Sequence, residues 1–360
     1  KMNFPLLRLH LEVASKNIKL MAKKAKDSNV EFRPHFKTHQ SRMIGELFKA
    51  EGVKAITVSS VEMADFFIDD GWNDITIAFP VDIRKMERLN ELSSKAKIHI
   101  ITDQLESLSI LDKRSDHQIG VYLELDPGYG RSGVDYSRRD TISKFIEKVN
   151  KAKNLDLSGF YMHAGYTYQC KSKEEIEERI LPVLSELKDI KQIYNIPICF
   201  GDTPSCSVLD DFGVVDQISP GNFVFYDWMQ FKIGSCTKED IAVSMECPVT
   251  AIYPDRNELV IHGGAIHFSK DYIFDESGNK VFGVLYAVNG VKVSGERNYL
   301  KALSQEHGIL KADKDLISQI RIGDIVSIYP IHSCLTANLM GKYIDDSDNY
   351  YDHFSRSYLK

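Results

Sequence analysis

Three segments of this 360-residue chain carry residue types suited to carbonyl and proton chemistry. The first is Arg33-Pro34-His35-Phe36-Lys37-Thr38-His39-Gln40, with Lys37 at the end of an apolar run among aromatic neighbours. A desolvated lysine loses its proton readily and forms a Schiff base with a carbonyl; the plain alternative is a surface lysine with its head in water. The second is Asp126-Pro127-Gly128-Tyr129-Gly130-Arg131-Ser132-Gly133, whose glycines permit a tight loop presenting Arg131 as a rigid fork of donors. The third is Tyr161-Met162-His163-Ala164-Gly165-Tyr166-Thr167-Tyr168. In a strand, Tyr161 and His163 point the same way, where an aromatic or imidazole ring can pack on a flat ligand; the alternative is a satisfied core histidine.

Two further loops read as anion holders. Gly201-Asp202-Thr203-Pro204-Ser205 offers the Thr203 hydroxyl, and Ser219-Pro220-Gly221-Asn222-Phe223 offers the N–H groups of Gly221 and Asn222. Ordinary turns use the same residues. Taken together, the loops ask for a ligand with a carbonyl, a flat ring and a phosphate, which pyridoxal 5'-phosphate combines. Near the C-terminus, His332-Ser333-Cys334 follows Tyr329-Pro330-Ile331. In an extended segment residues i and i+2 share a face, and an imidazole beside a thiolate suits zinc. With two protein ligands the site would be open and Lewis-acidic; a buried cysteine beside an unrelated histidine is the alternative.

The elements that must position these groups alternate in type. A helical pattern runs from Leu11 to about Ala25. Strand-like runs occupy Val30–Lys37, Lys54–Ser59, Asp74–Phe79, Lys97–Thr102, Gly120–Leu125, Leu157–His163, Ile196–Phe200 and Val214–Ile218. Amphipathic stretches lie between them. The clearest is Ser172 to Tyr194, with a Ser172/Glu175 capping box and a bend expected at Pro182. Eight alternations predict a (β/α)8 barrel over residues 11–240, with chemistry at the C-terminal ends of the strands. An open doubly wound sheet is the alternative, but no G-x-G-x-x-G follows the first strand. Beyond Asp240 strand-like pieces dominate: Ala242–Ile252, Glu258–His262, Tyr272–Phe274, Val281–Leu285, Val288–Val293 and Ile325–Tyr329. Residues 241–360, with 1–10 paired to them, are predicted to form a mostly β domain.

Composition narrows the classes. Hydrophobic residues make up 43% and charged residues 27%, which excludes disorder and collagen-like structure. A net charge of −6 speaks against binding nucleic acid or acidic membranes. No apolar run approaches the roughly 18–20 residues that span a bilayer, and the start of the sequence shows no signal-peptide core. Six scattered cysteines without C-x-x-C fit a reducing cytoplasm better than a disulfide framework.

From about Pro5 to about Met340 these segments resemble the D-serine dehydratase/D-threonine aldolase family, whose barrel looks like the N-terminal domain of alanine racemase. Arg33-Pro34-His35-Phe36-Lys37-Thr38-His39 resembles the family's R-P-H-x-K-T-H around its Schiff-base lysine. The Asp126–Gly133 loop resembles D-x-G-x-x-R-x-G, whose arginine faces the pyridine nitrogen. Gly201-Asp202-Thr203-Pro204 and Pro220-Gly221-Asn222-Phe223-Val224-Phe225-Tyr226-Asp227 look like its phosphate loops. Glu306-His307-Gly308 and Pro330-Ile331-His332-Ser333-Cys334 also match. Dehydratase-like members carry H-x-C and aldolases H-x-D, so Cys334 favours the dehydratase branch. The chain departs from the family at His10, usually acidic, and at Asp202, usually serine. It departs again at His262-Gly263-Gly264-Ala265-Ile266-His267-Phe268-Ser269-Lys270-Asp271, where the family usually reads D-A-G-S-K-A-L-S-x-D.

The resemblance implies a pyridoxal-phosphate lyase acting on a small D-3-hydroxy amino acid such as D-serine, with zinc at His332 and Cys334 and a homodimeric assembly. Lys37 would be the catalytic residue. Lys37, Arg131, Tyr161, His163, Tyr168, Thr203, Gly221, Asn222 and Tyr226 would hold the cofactor, with His267 a possible second acid/base group or a buried histidine. Other readings are a retro-aldol lyase, an amino-acid racemase and a non-catalytic pyridoxal-phosphate binder. The β domain and the His332/Cys334 pair argue against the last.

Overall fold

Strands of a parallel barrel are buried on both faces, so their sequences are continuously apolar rather than alternating. The strands around Ile56, Ile75, Ile98 and Val121 are buried on both faces in the computed structural model, which describes residues 3–354, although the equally buried Thr57, Thr76 and His99 interrupt three of the apolar runs. Eight parallel strands form here: Glu31–Phe32, Ile56–Val58, Asp74–Pro80, Lys97–Thr102, Ile119–Asp126, Leu155–Met162, Ile198–Phe200 and Gln217–Ile218. Neighbours pair in chain order from the second to the eighth, and the eighth pairs with the first. Thr57 closes the ring: its N–H donates to Pro34 O at 2.9 Å and its carbonyl accepts from Phe36 N at 2.8 Å. The expected (β/α)8 barrel is therefore present. A two-residue strand, Val134–Asp135, pairs with Ile119–Asp126 outside the ring.

The helices follow the sequence pattern closely. The first spans Leu11–Asp27 and the longest Lys173–Tyr194. The Ser172 hydroxyl accepts from Glu175 N at 3.2 Å, but the Glu175 carboxylate accepts from Lys171 N instead of Ser172 N. Half of the expected capping box forms. The helix continues through Pro182.

Residues 18–221 with Phe354 form one compact unit, and 3–17 with 222–353 form the other. The sequence pattern predicts the boundary at residue 240. Residues 222–240 group with the β unit because its backbone and buried polar groups hold them: Met229 N donates to Ile331 O at 3.4 Å and Ser333 N to Asp227 Oδ2 at 3.0 Å. Residues 11–17 join it likewise, through the Asn17 amide, which donates to Asp240 O at 2.8 Å.

The β unit is built on the long strand Val243–Tyr253. It pairs antiparallel with Leu6–Leu9, Ile325–Pro330 and Glu258–His262, so the leading segment does join this domain. Two expected strands are broken. Val281–Leu285 divides at Phe282, and Val288–Val293 contains a tight turn in which Asn289 and Gly290 have φ of 47° and 78°. Both signs suit the two-residue turn of a twisted hairpin, and Val288 pairs with Val291 across it. Strands Tyr299–Leu303 and His307–Lys311 were not evident in the sequence, since lysine, histidine and glycine interrupt their apolar pattern. Among the described residues no helix is long and apolar enough to cross a membrane.

At the N-terminal end of the barrel Arg33 is 2% exposed and fills the interior. Its guanidinium donates to Asp74 Oδ1 at 2.6 Å and Thr76 Oγ1 at 3.2 Å. Burial works against an ionised Asp74, yet His99 and Arg33 outweigh it and hold the carboxyl well below the ordinary range. Removing one partner of a buried pair leaves the other uncompensated. Asp74→Asn is expected to cost about 3 kcal/mol in chemical denaturation at neutral pH. The native carboxyl titrates below its unfolded value, so its contribution is complete above the ordinary carboxylate range and shrinks as pH falls below about 4. Denaturation curves of wild type and variant should converge toward acid; a constant gap would refute the pairing.

Candidate active site

The lysine segment is held from both sides. Arg33 N donates to Ile218 O and His35 N to Pro220 O, each at 2.9 Å, while Pro34 and Phe36 bond Thr57. Phe36 is then locked outside the strands by Phe48, Phe67 and Trp72, with ring centroids 4.9–5.1 Å away. Lys37 is the first residue past the closure. Its neighbours from Phe32 to Gln40 are buried and Lys37 itself is exposed. The desolvated setting suggested by its aromatic neighbours is therefore absent, because Phe36 turns its ring away into the packed cluster.

Arg131 is delivered by the loop after the fifth strand. One carboxylate organises this loop: Asp126 accepts from the N–H groups of Gly128, Tyr129 and Gly130 at 2.7–3.0 Å. Gly128, Gly130 and Gly133 all have positive φ, a backbone that side chains other than glycine rarely adopt. The Arg131 guanidinium lies 3.7 Å from Glu124 Oε1 and 5.6 Å over the Tyr129 ring. Glu124 is buried, and burial raises its pKa.

His163 follows the sixth strand. Its Nδ1 lies 2.8 Å from Gly201 O, which places the proton on Nδ1 and leaves a lone pair on Nε2. Burial, then Lys37 and Arg131, pull its pKa down to about 3. His35 is lowered by burial and by Lys37, His163 and Arg131 as well. The two neutral imidazoles, the lysine and the arginine thus sense one another at one mouth. Tyr129 and Tyr168 flank the His163 ring, with centroids at 6.0 and 6.2 Å. Tyr161 lies deeper, still within electrostatic reach of Glu124 and Arg131. It is buried with Tyr122, Ile101 and Cys199 in the barrel interior and hydrogen-bonds Ser219.

The expected phosphate loops are close-packed. A Cβ on Gly201 would stand 2.7 Å from Ser219 O, and one on Gly221 2.9 Å from His35 O. Thr203 opens the short helix Thr203–Val208 and is buried; its N–H donates to the Tyr168 hydroxyl at 3.3 Å. Asp202 caps that helix. Its Oδ1 accepts from Ser205 N at 2.7 Å and from the Thr167 hydroxyl at 2.9 Å. Burial pushes its pKa up to about 6 despite these donors. Pyridoxal phosphate fits the residues present. Lys37 suits an aldehyde, Arg131 and the neutral His163 suit a heteroaromatic ring, and the N–H of Gly221 has no protein acceptor among the described residues.

In the β unit, His332 and Cys334 do meet, although not along a strand as expected. His332 is the extended cap residue of helix Ser333–Met340, and Cys334 lies in the first turn of that helix. The His332 Nδ1 is 2.6 Å from Asp271 Oδ2. Burial opposes a charge on His332, but hydrogen bonds to Asp271 and Cys334 outweigh it and push its pKa up to about 11. The buried Asp227 accepts from Ser333 N and, at 2.7 Å, from the Asn222 amide. That amide also reaches Ser333 Oγ at 3.0 Å and Cys334 Sγ at 3.4 Å. The Asn222 side chain, expected at the phosphate, thus serves the His332/Cys334 group. An imidazole backed by a carboxylate beside a thiolate suits zinc.

Tyr226 belongs to the same unit, buried with φ of 46°. His267 stands beside His262 and Glu306. Glu124, Asp227 and Asp271 are functional neighbours that the sequence pattern does not mark. Asp227 and Asp271 lie within the motifs, but their roles come from partners distant in sequence; Glu124 sits in the fifth strand, just before the loop that carries its partner Arg131.

Comparisons with known proteins agree with this geometry. The pattern described as "Alanine racemase, N-terminal domain" matches residues 9–225, and "Putative serine dehydratase domain" matches residues 242–344. A D-serine dehydratase of Dictyostelium discoideum is 29% identical, over 97% of this chain and 94% of its own. D-threo-3-hydroxyaspartate dehydratase of a Delftia species is 24% identical, over 92% of this chain and 91% of its own. The solved structure of that Delftia enzyme superposes with a TM-score of 0.87, covering 98% of each chain.

Asp202 yields a pH signature. Its native pKa is raised above the unfolded value, so its contribution to wild-type stability is lost as pH rises from about 4 through about 6. Asp202→Asn keeps the Oδ1 acceptor and removes the titration. Relative to wild type, the variant is expected to gain about 2–3 kcal/mol between pH 4 and pH 7. Parallel denaturation curves across that window would refute the burial of the charge.

Proposed function

The chain belongs to the family of the alanine racemase N-terminal domain, and on that footing we propose that it is a pyridoxal-phosphate-dependent lyase. Its substrate is a small D-3-hydroxy amino acid, foremost D-serine, converted to the keto acid and ammonia by dehydration and hydrolysis. The observation that carries the reading is the convergence of Lys37, Arg131 and a neutral His163 at the C-terminal ends of barrel strands. The full-length similarity to D-serine dehydratase supports the substrate class.

When bound, pyridoxal phosphate supplies an electron sink for charge left at the substrate α-carbon. Lys37 would hold the cofactor aldehyde through Nζ, and its free amine would take the substrate α-proton on that same atom. Arg131, a permanent cation, would sit on the pyridine side of the cofactor and disfavour a proton there. His163 offers a neutral ring face, which the bond to Gly201 holds in place. Thr203 and the Gly221 N–H would hold the phosphate. His332 and Cys334 would bind zinc, which supplies a Lewis acid for the β-hydroxyl; Asp271 orients the His332 ring. A solved cysteine-to-alanine variant of a D-threo-3-hydroxyaspartate dehydratase is in a metal-free form, which supports a metal in enzymes of this kind.

The proposal includes a homodimer in a reducing cytoplasm. Half-exposed Ile266, Leu335 and Leu339 on the β unit support the dimer, and six free cysteines support the compartment.

Lys37→Ala is expected to abolish the visible absorbance of the cofactor-loaded protein, and an unchanged spectrum would sink the cofactor assignment. In a screen of D-3-hydroxy amino acids, ammonia and keto acid are the expected products, with turnover falling on chelation. Glycine plus aldehyde would establish the aldolase instead, and the L-isomer a racemase.

A further inference from the structure

The two histidines that depart from the family motif, His262 and His267, come together in the structure. His262 ends the strand Glu258–His262, and His267 lies in the short helix Ala265–Phe268. Between them the chain is pressed against the turn that carries Glu306. Gly263 N donates to Glu306 O at 3.0 Å, Ala265 N to Ser304 O at 2.7 Å and Ile266 N to Gln305 O at 3.3 Å. A Cβ on Gly264 would stand 2.2 Å from Gln305 O, and one on Gly308 2.5 Å from Gly263 O. Glycine at both positions lets the two segments approach this closely.

The result is a group of two imidazoles and a carboxylate whose ligand atoms all lie within 4.8 Å of one another. His262 Nε2 is 3.4 Å from Glu306 Oε2. Metal–ligand bonds of about 2.0–2.2 Å in a tetrahedron set their donor atoms roughly 3.4 Å apart. One edge of a coordination shell is therefore already formed. The His262 and Glu306 side chains are 44% and 46% exposed, which leaves an entry path.

We propose that His262, His267 and Glu306 form a second divalent-metal site of the zinc class, distinct from the His332/Cys334 pair. Two nitrogen donors select zinc and its neighbours over magnesium and calcium, which take oxygen. Three protein ligands leave a fourth position for water. Burial lowers the His267 pKa, against the pull of Glu306, which favours the neutral ring a metal needs. That ring now accepts from Gly264 N at 3.1 Å through Nδ1. A neutral imidazole has one lone pair, so coordination requires His267 to release this bond. The site closes around its metal instead of standing fully formed.

The test uses the full chain, stripped with chelator and titrated with zinc and then cobalt. Wild type is expected to bind two equivalents. Cys334→Ala should retain one, whose cobalt spectrum lacks a thiolate-to-metal charge-transfer band. That equivalent should be lost in Cys334→Ala combined with His262→Ala. Glu306→Gln, a half-exposed isosteric change, should weaken it in the same background and serves as the second variant. Absence of metal binding by Cys334→Ala overturns the proposal. So does an equivalent that survives both additional substitutions.

Discussion

The mouth of the barrel depends on where the ring of strands closes. A first strand of two residues cannot hold a reactive side chain by itself. Its extension does: Arg33 and His35 bond carbonyls on one side, and Pro34 and Phe36 bond Thr57 on the other. Proline is tolerated there because only its carbonyl is asked to bond. Phe36 anchors the outer face and Arg33 the inner, so the chain enters the mouth at one fixed point. Lys37 follows at once, exposed on a backbone that cannot drift.

Electrostatics then divides the two units. The barrel mouth holds Lys37 and Arg131 with two histidines kept neutral by burial and by those cations. Glu124 is the carboxylate facing Arg131, and its own burial weakens its charge. Such a mouth favours an anionic ligand. Around His332 the balance is reversed. Asp271, Asp227 and Cys334 outweigh burial and make the imidazole hold its proton strongly, so a metal cation would take the proton's place in a group already arranged for positive charge.

Much of this is legible in the sequence alone. Apolar runs located all eight barrel strands, because burial on both faces leaves that mark in each strand separately. Lys37, Arg131 and His163 were found at strand ends for the same reason. Elsewhere the local signal misled. The His332-Ser333-Cys334 segment continues a strand pattern, yet its chain turns into a helix at Ser333 because Asp227, distant in sequence, accepts the Ser333 N–H. The Ser172/Glu175 pattern promises a reciprocal cap, but Glu175 finds Lys171 N instead. Asn289-Gly290 was a turn signal hidden inside an apparent strand.

The limit follows from what spacing encodes. Periodicity reports which face of an element is apolar and where that element ends, and this suffices for the barrel, the β domain and the residue types at the strand ends. It carries no information on partners across the fold. Asp271 and His332 stand 61 positions apart, and Glu306 reaches His262 from a neighbouring hairpin. The unusual Asp202 was visible as a departure, but its raised pKa arises from complete burial, which no local pattern reports. Tertiary packing assigned each of these groups its neighbours, and the neighbours set its charge and its chemistry.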